Sequence, residues 1–232
     1  MRAVQLSFDD HRRRSGRGGP RSGAGRPRGR RSVVHHVRRE AHPGGCPAHI
    51  TLRMRRDVPS LRRRALVREI RRSFREVREV RDAFRLTHFS IQRDHIHMLV
   101  EADDAQALGR GMKSISARVA RAVNRVFRRA GAALHGRYHV RALQTPREVR
   151  NALAYVLLNA RKHWKQRHGA APPVRIDEAS SGIWFDGWAR RTWPPSSPDP
   201  TPVAAPRSWL LRIGWRRHGL IDPSGVPGHR SH

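Results

Sequence analysis

Between residues 47 and 168 the apolar residues switch repeatedly between a two-residue period and a helical one, and the order of the switches admits few folds. Residues 48–54 (AHITLRM) alternate as a half-buried strand does. A helical pattern opens at Pro59 and Ser60, with Leu66, Val67, Ile70, Phe74 and Val77 recurring among Arg and Glu. Residues 83–92 (AFRLTHFSIQ) and 95–102 (HIHMLVEA) read as two strands, and Arg93-Asp94 between them suits a tight hairpin. Leu108, Met112, Ile115, Val119, Val123 and Val126 mark a second helix. Residues 137–143 (RYHVRAL) read as a further strand, and a third helix starts at Thr145. The order β-α-β-β-α-β-α predicts an α+β chain: a ferredoxin-like split β-α-β sandwich with an antiparallel sheet, helices on one face and an additional C-terminal helix. The other face of the sheet, or an edge of it, is expected to stay free for a ligand.

The start of the third helix is sharply specified. Thr145-Pro146-Arg147-Glu148 offers an N-cap hydroxyl, Pro at the first helical position and Glu at the third, which together form a capping box. At about 100° per residue, Val149, Leu153, Val156, Leu157, Ala160 and Trp164 share an apolar face. Tyr155, Asn159, Lys162 and Gln166 fall on a polar stripe.

The flanks differ from this middle in composition. Residues 1–44 are read as a disordered Arg/Gly-rich basic arm, because residues 11–32 hold almost no apolar surface to offset the entropy of ordering. Residues 45–168 form the folded domain, and residues 169–232 a Pro/Trp-rich extension. Residues 208–221 (SWLLRIGWRRHGLI) are expected to form a basic amphipathic helix that packs on the core through its Trp and Leu residues.

Charge then narrows the function. Lys and Arg number 49 against 18 Asp and Glu, a formal net charge of +31, and Lys occurs only at 113, 162 and 165. Such a charge repels itself unless a polyanion is near, and the planar fork of Arg suits phosphate, so nucleic acid is the expected partner. The single cysteine, Cys46, excludes an internal disulfide and a cysteine metal cluster. No apolar run approaches the roughly 20 residues of a membrane helix, and the N-terminus lacks the apolar core of a signal peptide. The chain is therefore expected to be cytoplasmic, near the nucleoid in a bacterium, with no membrane partner.

Two small patterns carry chemistry. His95-Ile96-His97 places two imidazoles on one face of a strand beside a hairpin turn, a weak metal signal in a chain with 15 His. Tyr155 carries a hydroxyl whose ordinary pKa of about 10 makes it a poor nucleophile. A metal that polarises a phosphodiester would let it attack, and the resulting phosphotyrosine would keep the bond energy needed for rejoining. Two decoys are set aside. Gly109, Gly111, Lys113 and Ser114 imitate a phosphate loop, but no Gly directly precedes Lys113. Tyr138, the only other tyrosine, lies on a strand with Arg137, His139 and Arg141 and is read as a stacking or packing residue.

At these residues the chain resembles a known family. His95-Ile96-His97-Met98-Leu99-Val100 is similar to the His-hydrophobic-His motif of the HUH single-tyrosine transposases. Tyr155-Val156-Leu157-Leu158-Asn159 is similar to their nucleophile helix. The run RYHVRALQTPREVRNALAYVLLNARKH resembles the REP-associated tyrosine transposases of bacteria, related to the single-strand transposases of insertion sequences. The resemblance spans about residues 45–168 and implies a ferredoxin-like nuclease fold acting on single-stranded or hairpin DNA. It implies Tyr155 as nucleophile, giving a 5′-phosphotyrosine and a 3′-hydroxyl. It also implies His95, His97 and Asn159 as ligands of a divalent metal, Mg²⁺ or Mn²⁺. Arg137 and Arg141 before the helix, and Lys162 on its polar stripe, are the expected DNA contacts. The Arg-rich arm and Trp-rich extension are not core features of that family.

Two other readings stay open on the sequence: an RRM-like sheet that binds RNA or DNA through Phe84, Phe89 and Tyr138, and a domesticated transposase that binds hairpins without cutting. Monomer and homodimer are also both open. The arm makes a separate prediction. Deleting residues 1–40 should weaken DNA binding almost equally for all sequences and flatten the salt dependence of log K by about one unit per lost phosphate contact. An unchanged slope in a salt titration would show that the arm does not touch DNA.

Overall fold

The computed structural model describes residues 44–80, 82–190 and 200–228, all within one compact unit, Val37–His232. The expected basic arm lies outside the described residues but for its last position. The first strand, β1 (Ala48–Arg53), is followed by α1 (Arg64–Val80), β2 (Phe84–Ile91), β3 (His95–Ala102) and α2 (Ala105–Val126). Then come β4 (His139–Ala142), α3 (Pro146–Leu157) and α4 (Asn159–His168). A short helix, α5 (Trp209–Arg212), stands in the extension between 3₁₀ turns at Ser181–Trp184 and Gly214–His218. The sheet order is β2-β3-β1-β4, with every pairing antiparallel. This is the ferredoxin-like arrangement that the alternation of periods predicts.

The two-residue period of the central strands divides the side chains between two cores. Ala48, Ile50 and Leu52 of β1, with Ile96, Met98 and Val100 of β3, turn toward α1 and α2. There they meet Leu66, Ile70, Phe74, Met112, Ile115 and Val119. The helix α2 approaches the sheet so closely that a Cβ on Gly111 would fall inside the ring of Phe84. Gly111 is therefore a packing residue within a helix, which removes the phosphate-loop decoy.

The other face of the sheet is covered over part of its area, and the part that bears His49 and Arg141 lines a cleft. Leu99 and Leu143 project from this face and are covered by Val149, Leu153, Val156 and Leu157 of α3. Trp188, Leu211, Trp215 and Ile221 of the extension complete this second core. An apolar helix stripe and two exposed leucines would otherwise face water, and their joint burial removes that cost. The edge strand β2 is covered as well, by an isolated bridge between Ser90 and Ser180 and by hydrogen bonds between Ser181 and the Phe89 backbone.

Several element boundaries move for identifiable reasons. The first helix starts at Arg64, not at Pro59, because Leu61 is buried with its N–H bonded to the Arg93 carbonyl at 2.9 Å. The amphipathic segment at 208–221 splits at Ile213 and Gly214 into α5 and a 3₁₀ turn, and it still buries Leu211 and Trp215. Glu101 fixes its start by accepting from the backbone N–H of Arg207 and Ser208 at 2.7 and 2.8 Å. The third helix carries the predicted capping box on Thr145 and Glu148 but breaks at Leu158 (φ −105°, ψ 10°). The Leu158 carbonyl there accepts from both the Arg161 and the Lys162 N–H, at 3.0 and 3.2 Å. Trp164 leaves the apolar face and is 43% exposed, while Asn159 is fully buried instead of lying on a polar surface stripe. Among the described residues no helix is long and apolar enough to cross a membrane.

Candidate metal and nucleophile site

The antiparallel register of β1 and β3 sets Thr51 opposite His97 and Arg53 opposite His95, on the face away from α1 and α2. His95 and His97 therefore project side by side, and their Nε2 atoms stand 3.0 Å apart with the rings at 81°. Each ring is held from behind. The Asp94 carboxylate accepts from His95 Nδ1 at 2.7 Å. His97 Nδ1 lies 3.2 Å from Thr51 Oγ1 and 3.1 Å from His49 Nε2. In the tautomers with a proton on each Nδ1, both Nε2 lone pairs turn toward one another. Two lone pairs at that separation repel unless a cation lies before them, and fixing Nδ1 from behind is how ligating imidazoles are oriented.

Electrostatics favour the ligand form. Burial, with the neighbouring His49, His95, His163 and Lys162, lowers the pKa of His97 to about 2, so the ring stays neutral. Burial lowers His49 to about 4, aided by His139 and Arg141. For Asp94 burial pulls upward, but the bond to His95 and its charge outweigh it and hold the carboxyl below its usual range.

The helical segment completes the cluster. The Tyr155 ring stands edge-on to His97 at 5.1 Å and to His49 at 5.8 Å, with Lys162 Nζ 5.0 Å above it. Two turns on, His163 stands edge-on to His95 at 6.0 Å. Asn159, at the start of α4, lies in sequence between Tyr155 and His163. Its side chain is fully buried, yet neither Oδ1 nor Nδ2 has a hydrogen-bond partner. A buried amide without partners costs about 1–3 kcal/mol unless something absent from the polypeptide meets it.

These observations fit a divalent cation. Donors at right angles on bonds of about 2.1 Å lie about 3.0 Å apart, which is the spacing of the two Nε2 atoms. Among the described residues no group of three or more His, Cys, Asp or Glu is arranged to hold a metal. An amide oxygen is a donor of another kind that such a pair could use, and that of Asn159 is without a partner.

Two clefts flank the cluster. One of about 630 Å³ is lined by Tyr155, His49, Arg141 and Arg150, with Ile221, Asp222 and Gly225 of the extension on its far wall. That wall is anchored by Arg161, which donates to the Ser224 and Gly225 carbonyls at 3.0 and 3.2 Å. The other cleft, on the His95 side, is of about 510 Å³.

Of the residues singled out in the sequence, His95, His97, Tyr155 and Lys162 form a chain of contacts, each touching the next, and Asn159 is buried. Arg141 lines the tyrosine cleft while paired with Glu148 at 2.9 Å. Arg137 lines neither of these clefts, and Tyr138 packs against the first core away from the cluster. The sequence reading missed His49, Thr51, Asp94 and His163. The alternation of β1 placed His49 and Thr51 on one face, but only the β1–β3 register puts that face beside His97.

Residues 44–156 match the family model described as "Transposase IS200 like". No curated protein is significantly similar in sequence. Among solved structures, the chain is similar to a REP-associated tyrosine transposase bound to a REP hairpin, at 14% identity over 62% of this chain and 96% of that one, with a TM-score of 0.47. It is also similar to bacterial tRNA(His) guanylyltransferase-like proteins in complex with GTP and with ATP, at 11% and 12% identity. Those alignments cover 55% and 54% of this chain and 70% and 64% of those chains, with TM-scores of 0.41 and 0.39. The family match takes in the strand pair that carries the imidazoles and the helix turn that carries Tyr155, and over residues 44–156 this chain is similar to the IS200-like transposases.

Proposed function

We propose that the protein cleaves and rejoins single-stranded DNA near hairpins through a 5′-phosphotyrosine on Tyr155, with His95, His97 and Asn159 holding Mg²⁺ or Mn²⁺. The observation that carries this reading is the pair of facing Nε2 atoms, 3.0 Å apart, with the Tyr155 ring edge-on to one of them. Imidazole nitrogen is softer than Mg²⁺ prefers, so Mn²⁺ is the better fit of the two. When bound, the cation supplies Lewis-acid polarisation of the scissile phosphate. The chain's own residues do the rest. The Tyr155 phenol oxygen attacks phosphorus and releases its proton to solvent. The phosphorus–O3′ bond breaks, and its electron pair stays on the 3′ oxygen, which takes up a proton to become a hydroxyl. Attack by a 3′-hydroxyl on the phosphotyrosine reverses the step and rejoins a strand. Lys162, above the phenol ring, and Arg141, in the same cleft, are placed to meet the phosphate backbone.

Asp94, Thr51 and His49 act as positioning residues, holding the two imidazoles with Nε2 free. The homodimer expected as one option has no bearing on this chemistry, because one chain supplies all the named groups. The test is direct: incubation with end-labelled single-stranded hairpin DNA and Mn²⁺ should give a protein–DNA adduct that survives SDS and is lost with EDTA. Binding to the hairpin with no adduct at any metal concentration would favour the non-catalytic, domesticated reading.

A further inference from the structure

The cleft on the His95 side has no part in the tyrosine chemistry as drawn, and its lining has a distinct character. Trp164 lines it and is 43% exposed, an unusual position for the largest apolar side chain. The indole is not loose: His168 stacks on one of its faces at 4.2 Å with the planes 15° apart, which leaves the opposite face for another planar group. Arg93 at the hairpin tip and Arg167 on the helix line the same cleft, both exposed. Among the described residues neither is in an ion pair, whereas Arg62 beside them is held bidentate by Asp177 at 2.7 and 2.9 Å. The one carboxylate in the lining, Asp94, is bonded to His95. The cleft therefore offers a pre-oriented aromatic surface, two guanidinium groups without a carboxylate partner, of which Arg167 also donates through Nε to the His163 carbonyl at 3.2 Å, and no free anion, directly beside a proposed metal ligand.

We infer that this cleft is a subsite for one unpaired nucleotide of the strand being cut, its base stacked on Trp164 and its phosphate met by Arg93 and Arg167. The inference rests on the single-strand reading given above. A duplex hides the faces of its bases, so only an unpaired nucleotide presents a planar surface and a phosphate together. The adjacency to His95 sets that nucleotide next to the scissile phosphate. Such a subsite holds the strand without reading its sequence, because every base has a π-face.

The full chain, in EDTA to prevent cutting, should be titrated by fluorescence anisotropy with a short labelled oligothymidylate and with the same strand built of abasic residues. The wild type should prefer the strand with bases by about tenfold, the size of one base–aromatic stack. Trp164→Ala should lose that preference while keeping its affinity for the abasic strand, and Trp164→Phe should keep most of the preference. The melting temperature should stay near that of the wild type, since the side chain is half exposed. An unchanged base preference in Trp164→Ala, or an equal loss on both strands, overturns the subsite. The adduct assay separates this from the parent reading. In that assay the wild-type protein is incubated with hairpin DNA and Mn²⁺. A base preference that depends on Trp164 in a protein that never forms an adduct would uphold the subsite and reject the nuclease.

Discussion

Tyr155→Phe should fold, bind hairpin DNA with wild-type affinity, and form no covalent adduct. The substitution removes one oxygen and leaves the ring that stands edge-on to His97 and His49 and beneath Lys162. Those contacts are made by the ring, so packing of α3 on the sheet is retained and the melting temperature should change by only a few degrees. Removing a nucleophile outright costs several orders of magnitude, and strand cleavage should fall by on the order of a thousandfold or more. Denaturing gels of labelled hairpin DNA with Mn²⁺ provide the measurement. Tyr138→Phe is the control and should cut as the wild type does, because Tyr138 packs against the first core. A persistent adduct in Tyr155→Phe would sink the assignment and turn attention to Tyr138.

His95→Ala and His97→Ala should each abolish cleavage while leaving DNA binding largely intact. On the proposed reading the affinity for DNA would come from many Arg residues, whereas the metal would be held by only two imidazoles and an amide. Metal binding can be read independently by titration calorimetry with Mn²⁺. Either substitution should remove measurable binding, and His49→Ala, which acts only through His97 Nδ1, should weaken it by about 10–100-fold. His97→Ala carries a structural cost too, because the side chain is only 5% exposed and its loss leaves the Thr51 hydroxyl without that partner. His95→Ala avoids most of that cost, since His95 is half-buried and its partner Asp94 is exposed. Asn159→Ala should be milder than either, as water can take the place of an amide oxygen. It should also be tolerated in the fold, because neither polar atom of that amide is hydrogen-bonded to the protein. Equal cleavage by wild type and His97→Ala at saturating Mn²⁺ would rule out this site.

The helix break at Leu158 connects the two proposed subsites. The spacing from Thr145 predicts Trp164 on the apolar face and Asn159 on a polar stripe. In the structure the indole lines the His95 cleft and the amide is buried. The capping box could not foretell this. It fixes where a helix begins, through bonds within four residues, and says nothing of what the next turns will meet.

What the sequence determined by itself was local. Alternation in β1 and β3, helical spacing in α1 and α2, the Arg93-Asp94 hairpin and the Thr145–Glu148 cap each rest on residues close along the chain, and together they yielded the ferredoxin-like order and the elements that bear His95, His97 and Tyr155. Tertiary structure decided what depends on partners far apart in sequence. The extension covers part of the second face of the sheet because Leu99 and Leu143 need Trp188, Trp215 and Ile221, a match of apolar surfaces that no periodicity reveals. His49 and Thr51 support His97 across a separation of 46 to 48 residues, through a strand register that is set by the packing of both cores. Side-chain identity told which groups could ligate or attack; only the pairing of β1 with β3, and the phase of the helix laid across them, brought those groups within reach of one another.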